Sequence, residues 1–183
     1  MKAPSPIARL LPLLLAAAIA SVHAKPAAAV DKDQAWQQIQ LLLNRQDSIG
    51  KLDAKIAALE QQMRLDPAPD PAKQKQLDGY KEDQARARDY VTAQRRTIGG
   101  LVAQKETSRL CSLALLVSDH KDKIAAADLE VLQLEASGKP TDSAEATAVE
   151  DLIAPVKLKH EELQKLLIAE KKRLDVRAGG RPK

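Results

Sequence analysis

The chain has 183 residues, a formal net charge of +4 at pH 7 and only 2% aromatic residues, with no Phe. β-Sandwiches and β-barrels depend on aromatic and β-branched residues, so a composition rich in Ala and Leu disfavours both folds. The single cysteine also excludes a disulfide framework and a multi-cysteine zinc site. The length suits one domain or one long helical assembly.

The N-terminal residues are typical of a secretory signal peptide. A start that carries Lys2 and Arg9 but no acidic residue is followed by the apolar run Leu10–Ala20 and a small-residue cleavage site ending at Ala24. This run is too short to span a bilayer, which takes about 20 apolar residues. We therefore predict a signal peptide at 1–24 and export to the periplasm, with secretion into the medium as the alternative.

Helical segments are predicted between the Pro and Gly residues of the remaining chain, because the intervening sequence consists mainly of strong helix formers. The predicted segments are a flexible leader at 25–30, helix 1 at 31–66, a Pro-rich turn at 67–70, a helical stretch at 71–137, a turn at 138–142, a C-terminal helix at 143–176 and a basic disordered tail at 177–183. The stretch 71–137 is one long helix or two helices. Its apolar stripe slips in phase near Gly99-Gly100, which predicts a break or a kink there.

Apolar residues recur in alternating steps of three and four, the heptad pattern of helices that pack along their length. The stripe is continuous from Ile49 to Met63 and thinner from Leu77 to Ile98, where it includes two Gln residues. Leu110–Val117 is apolar at seven of eight positions, so we expect more than one neighbouring helix to bury it. We predict an all-α fold, either an elongated antiparallel helical hairpin or a three- to four-helix bundle with coiled-coil-like seams.

Local signals place the helix ends. Asp31 or Asp33 is a candidate cap for helix 1, and Asp70 followed by Pro71 predicts the next helix start. Asp142–Glu145 has the spacing of a capping box, and Pro155 should kink the last helix or mark its effective start. The apolar face expected for that helix consists of Leu152, Ile153, Val156, Leu163, Leu166, Leu167 and Leu174.

Few residues offer catalytic or metal-binding chemistry. No phosphate-binding Gly-rich loop and no H-E-x-x-H motif occurs. His120 falls on an apolar stripe, which favours a hydrogen-bonded structural role, and His160 precedes two Glu residues on a solvated face. We therefore expect no enzymatic activity, no catalytic or metal site and no cofactor. The alternative is a metal protein or enzyme in which both His side chains share one site with an acidic ligand.

Cys111 lies inside the apolar stretch and has two interpretations. A buried thiol acts as a small apolar side chain, and we favour this interpretation. In an exported protein, however, a lone thiol can form an intermolecular disulfide with a second copy of the chain.

The C-terminal residues are strongly basic and are candidates for contact with a protein partner or an anionic membrane surface. The alternative is a helix C-terminus with a favourable dipole charge and a frayed end. The body of the chain is slightly acidic and poor in aromatic residues, so we expect no nucleic-acid partner. The candidate contact residues are Lys171, Lys172, Arg173, Arg177, Arg181 and Lys183.

The leading functional hypothesis is an exported, non-enzymatic helical protein that acts as a protein-binding, scaffold or chaperone-like component of the cell envelope. One alternative is a helical structural subunit of an envelope secretion or pilus machine. Another is a peripheral binder of anionic membranes through the basic tail, with membrane contact at most peripheral. The sequence does not identify the protein partner, and the apolar seams also allow a homo-oligomer.

Overall fold

A computed structural model describes residues 31–66, 68, 70–138 and 143–179. The predicted signal peptide, the leader, Arg181 and Lys183 lie outside the described residues. The described part contains four helices and no strand, which confirms the all-α prediction. The helices are α1 (Lys32–Leu65), α2 (Pro71–Leu101), α3 (Ser108–Ala136) and α4 (Ala144–Gly179).

The helices α1 and α2 form an antiparallel hairpin. Glu60 of α1 pairs with Lys81 of α2 at 2.8 Å, and nearer the other end Arg45 lies over the Tyr90 ring at 4.9 Å from its centroid. The thin stripe predicted from Leu77 to Ile98 is buried or half-buried at every one of its positions. This narrow face is covered because α2 lies along α1.

The start of α2 follows the predicted capping pattern. Oδ1 of Asp70 accepts hydrogen bonds from the backbone N–H groups of Ala72 at 2.9 Å and Lys73 at 3.2 Å. A side-chain cap of this kind stabilises a helix by about 1 kcal/mol. At the start of α1, by contrast, Asp31 occupies the N-cap position predicted for Asp31 or Asp33, but its side chain makes no capping hydrogen bond within the part of the chain that the structure describes.

The break between α2 and α3 is a full turn at 102–107, whereas Gly99-Gly100 lies inside α2. The predicted position of the break is therefore wrong. Glycine weakens a helix by roughly 1 kcal/mol relative to Ala, which does not prevent helix formation in a packed segment. The turn follows Leu101, which is anchored in the core. Thr107, only 1% exposed, donates a hydrogen bond from Oγ1 to the Leu101 carbonyl at 3.2 Å.

The helices α3 and α4 form a second antiparallel hairpin, in which Asp128 pairs with Lys157 at 3.4 Å. Beyond the end of α3, Gly138 has φ +85°, the left-handed conformation that favours glycine after a helix. Ser143 caps α4 by accepting the Ala146 N–H at 3.3 Å.

Helix α4 is longer and less covered than the sequence predicts. It runs through Pro155 without ending, so this residue does not mark its start, and it continues to Gly179. Residues 177–179 therefore belong to the helix and not to a disordered tail. Leu152 and Leu166, predicted to be buried, are 76% and 46% exposed, because α4 packs chiefly against α3 and only one side of it is covered.

The two hairpins share a core at one end of the molecule, which we call the base. The first half of α3 lies at its centre and contacts the other three helices. Within Leu110–Val117, four residues are buried and three others half-buried, which confirms burial by several neighbours. The buried core residues are Ala35, Ile39, Leu42, Val91, Ile98, Leu101, Leu110, Cys111, Ala114, Val117, Leu163, Leu167 and Leu174.

Away from the base, the described contacts run within each hairpin. The α1–α2 hairpin has a small cluster of its own, formed by Ile56, Leu59 and Leu77. In the part of the α3–α4 hairpin away from the base, the buried apolar residues are Ala146 and Ile153. The described molecule is thus a four-helix base that continues into two helical arms.

Candidate functional site

A polar network joins three helices where the arms leave the base. The side chain of Gln46 in α1 is buried, and its Nε2 donates to the Ser118 carbonyl at 2.9 Å and to Oδ1 of Asp122 at 2.5 Å. From α2, Arg95 donates to the Ser118 hydroxyl at 2.9 Å and to Oδ2 of Asp122 at 2.6 Å. We call these four residues the junction network. Its charged hydrogen bonds fix the position of α3 against α1 and α2.

A second contact reinforces the junction on the other side of α1. Nζ of Lys121 donates to the Leu43 carbonyl at 3.1 Å and pairs with Asp47 at 2.6 Å. The junction is not fully satisfied, because Oε1 of Gln46 is buried and has no hydrogen-bond partner among the described residues. An unpaired buried oxygen is unfavourable by about 1–3 kcal/mol, so the network contributes more to geometry than to stability.

An open groove of about 330 Å³ lies beside the junction network, between the two arms. We call it the fork groove. Its surface is largely apolar, and charged side chains of both signs stand among the apolar ones. The lining residues are Ile49, Asp53, Arg88, Val91, Thr92, Arg95, Asp122, Ala125, Ala126 and Leu129.

The polar groups of the fork groove are already held by neighbouring residues. Asp53 is 7% exposed, accepts a hydrogen bond from the Gln84 amide and lies 3.6 Å from the Arg88 guanidinium. The Thr92 hydroxyl donates to the Arg88 carbonyl of its own helix at 3.0 Å. Arg88 itself is more than half exposed. These contacts use only part of the capacity of a carboxylate or a guanidinium, so the groove offers a ligand apolar surface and some further hydrogen-bonding groups, while its one hydroxyl is engaged in the helix.

The two histidines lie on neighbouring helices, His120 on α3 and His160 on α4. The His120 ring donates from Nδ1 to the Leu116 carbonyl at 2.9 Å, and Nε2 of His160 accepts from the Gln164 amide at 2.9 Å. Burial lowers the pKa of His160, and the nearby positive charge of Lys121 and the ring of His120 lower it further. A lysine beside the imidazoles opposes cation binding. Among the described residues, no group of three or more His, Cys, Asp or Glu side chains is placed to hold a metal ion.

Cys111 is fully buried in the shared core. Burial raises the pKa of its thiol, which keeps the thiol protonated and unreactive. This position fits the interpretation of Cys111 as a small apolar side chain. An intermolecular disulfide would require the core to open.

The basic residues predicted as a contact surface have different environments. Nζ of Lys171 bonds to Asp33 at 3.0 Å and to Asp175 at 2.6 Å, and Arg173 forms a close ion pair with Glu170. Two of the predicted cations are therefore used to tie α4 to α1 or to itself. Lys172 and Arg177 are exposed, whereas Arg181 and Lys183 lie outside the described residues.

Arg177 lines a second open site, which we call the basal cleft. It has a volume of about 650 Å³ and lies where α1 begins and α4 ends. Lys32 and Lys105 were not predicted as parts of this surface, because each is more than 60 residues away from Arg177 along the chain. The lining residues are Asp31, Lys32, Lys105, Glu106, Arg173, Leu174 and Arg177.

These features define an all-α bundle with one groove between its arms and one cleft at its base. None of the described helices combines the length and the apolar character needed to cross a membrane. Comparisons with protein-family models, with curated proteins and with solved structures each found no match.

Proposed function

We propose that this chain is an exported, non-enzymatic helical protein that binds segments of other polypeptides in the fork groove, as a scaffold or chaperone-like component of the cell envelope. The observation that carries this proposal is the open, largely apolar groove between the two arms. The export step rests on the signal-peptide pattern of the first 24 residues.

The shape of the fork groove suits a polypeptide better than a small molecule. Its volume of about 330 Å³ is near the lower limit of ligand pockets, which run from about 300 to 1,000 Å³, and it is open to solvent. Helices form its walls, so a segment that places a few apolar side chains between them would extend beyond both ends. Helix-in-groove recognition works in this way.

The charges in the groove complement a peptide backbone. Arg88 is exposed on the α2 side, and Arg95, although bonded to Ser118 and Asp122, has further N–H groups there. On the α3 side, Asp122 is half exposed and its carboxylate can accept more than the two hydrogen bonds it already has. A bound segment can therefore pair its backbone carbonyl and N–H groups while its apolar side chains contact Ala125, Ala126 and Leu129. Binding of this kind is broad and adaptable, because no single deep pocket dominates it.

Blocking the groove tests the proposal. Ala126 is exposed in the groove, so Ala126→Arg should fill it with a bulky charge without disturbing the core. The probe is a permanently unfolded, carboxymethylated model polypeptide with a fluorescent label, and binding is measured by fluorescence anisotropy. We expect Ala126→Arg to weaken binding by about tenfold, or 1.4 kcal/mol. The matched control is Ala58→Arg, an exposed position on α1 outside the groove, which should leave binding unchanged.

Photo-crosslinking locates the bound segment. With a photoreactive amino acid at position 126 or 58, the probe should crosslink at 126 and not at 58. Equal crosslinking at both positions, or no binding of the probe by the unmodified protein, would overturn the proposal. If light scattering shows self-association that Ala126→Arg abolishes, the occupant is a second copy of the chain, and the structural-subunit alternative replaces the proposed function.

A further inference from the structure

The base brings together three stretches that are far apart in the sequence. They are the start of α1 (31–33), the region that joins α2 to α3 (105–109) and the last turns of α4 (170–177). These stretches contain seven Lys or Arg residues and five Asp or Glu residues. The other described residues carry more acidic than basic side chains. The base is therefore the positive end of the described molecule.

The deeper wall of the basal cleft is cationic. Lys32 and Arg173 are half-buried there, and Leu174, 8% exposed, separates the cleft from the core. Nζ of Lys32 bonds to Asp175 at 2.8 Å, and Arg173 uses Nε and Nη2 to bind Glu170. An ammonium group has three donors and a guanidinium has five, so both side chains retain free N–H groups.

The rim of the cleft adds two cations from opposite sides. Lys105 comes from the α2–α3 turn and Arg177 from α4, and both are exposed. Neither has a hydrogen bond or an ion pair with any of the residues that the structure describes. Asp31 and Glu106 are also exposed at the rim and repel an anion. Four cations line the cleft against these two carboxylates, and Asp175 and Glu170 offset part of the charge of Lys32 and Arg173.

We propose that the basal cleft binds a phosphate-bearing anion, with Lys105 and Arg177 closing over the phosphate group and Lys32 and Arg173 contacting it from below. Guanidinium and ammonium groups that converge from three chain segments match the oxygens of a phosphate. A lipid headgroup and free phosphate share this chemistry.

This inference is independent of the proposed function, because the fork groove and the basal cleft share no residue. It also refines the sequence prediction of a basic contact surface. Lys171, one of the predicted contact residues, is only 16% exposed and bound to two carboxylates, whereas Lys105 lies far from the C-terminus and was not predicted.

Two binding measurements on the mature chain test the inference and separate the two sources. Cosedimentation compares phosphatidylcholine vesicles with vesicles that also contain phosphatidylglycerol. Thermal unfolding compares sodium phosphate with sodium chloride at equal ionic strength, because simple screening acts equally in both salts. Phosphate also stabilises proteins generally because it is excluded from their surface. A rise in the melting temperature with phosphate that Lys105→Ala/Arg177→Ala loses therefore identifies a site for the free anion, and binding to the anionic vesicles alone identifies a headgroup site.

The variant Lys105→Ala/Arg177→Ala should weaken binding by about tenfold, since it removes two charge-assisted contacts. Its matched control, Arg64→Ala/Lys75→Ala, makes the same charge change at exposed positions near the tip of the α1–α2 arm and should bind normally. Thermal unfolding verifies that both variants fold.

Three results would overturn the inference. The first is that neither phosphate nor the anionic vesicles bind. The second is an equal loss in the two double variants, which would indicate a general charge effect. The third is that removal of 180–183, which carry Arg181 and Lys183, abolishes binding while Lys105→Ala/Arg177→Ala leaves it unchanged.

Discussion

The imidazole of His160 lies at the α3–α4 interface, where its neutral form is favoured. Burial is the main cause of its lowered pKa, and Lys121 and His120 on α3 act in the same direction, while the Val117 backbone and Glu161 oppose them. Lys121 is itself paired with Asp47 of α1, so its charge stays close to the ring. Protonation of His160 would place a second positive charge at this interface.

A pH dependence of stability follows from this position. In the unfolded chain His160 binds a proton near its ordinary pKa of 6.5, whereas in the folded chain it does so only at lower pH. Between the pKa of the folded chain and the pKa of 6.5 in the unfolded chain, the unfolded state therefore binds more protons. Folding stability falls as the pH drops from neutrality through 6.5. The melting temperature should decrease in this range, and His160→Gln should reduce the decrease.

Carboxylates act in a lower pH range and do not obscure this effect. Arg173 is the main cause of the lowered pKa of Glu170, so the stability that Glu170 contributes is lost only as the pH falls below its ordinary value of 4.5. A melting temperature that changes equally with pH in His160→Gln and the unmodified chain would contradict the assignment to His160.

Cys111 makes a second prediction at the level of one residue. Its thiol is fully buried and its pKa is raised, so a water-soluble disulfide reagent should react slowly with the native protein and rapidly after unfolding in guanidinium. The measurement is the rate of thiol modification with and without denaturant. Rapid reaction of the native protein, or a disulfide-linked dimer in non-reducing electrophoresis, would favour the intermolecular interpretation.

At the scale of the elements, the glycines of α2 and of the α3–α4 connection have opposite roles. Gly100 lies inside a helix, and a Cβ built on it meets no atom within 4 Å. Gly138 has φ +85°, which an L side chain adopts only with strain. Gly100→Ala should therefore raise the free energy of unfolding by about 1 kcal/mol, and Gly138→Ala should lower it by about 1 kcal/mol or more.

Chemical denaturation of both variants checks this pair. A loss of stability in Gly100→Ala would contradict the open helical environment assigned to Gly100. An unchanged or increased stability in Gly138→Ala would contradict the left-handed turn after α3.

The elements also show how far the sequence could predict the fold. The stripe from Leu77 to Ile98 was predictable because its partner, α1, is the neighbouring segment, and a short link makes the two helices antiparallel. Leu152 and Leu166 were misplaced because the heptad pattern identifies apolar faces but not which helix covers them. Lys32 and Lys105 were missed for the same reason, since only the assembled bundle brings them to Arg177.

For the whole molecule, the relative position of the two hairpins depends on a few polar contacts at the junction network. Arg95 is the main link, because it donates to the Ser118 hydroxyl, to the Ser118 carbonyl and to Asp122. Its neighbour Arg96 is exposed and has no hydrogen bond or ion pair among the residues described by the structure. Arg95 can therefore be tested by substitution, with Arg96 on the same helix as the control position.

Arg95→Met should lower the free energy of unfolding by about 1–2 kcal/mol, because it leaves the Ser118 hydroxyl and one oxygen of Asp122 without their donor. Arg96→Met should change it by less than about 0.5 kcal/mol, as expected for an exposed side chain. Arg95 also lines the fork groove, so its loss should weaken binding of the unfolded probe and shift the distance between spin labels on the two arms. Equal stabilities of the two variants, with an unchanged distance distribution, would show that the apolar core alone sets the angle between the hairpins.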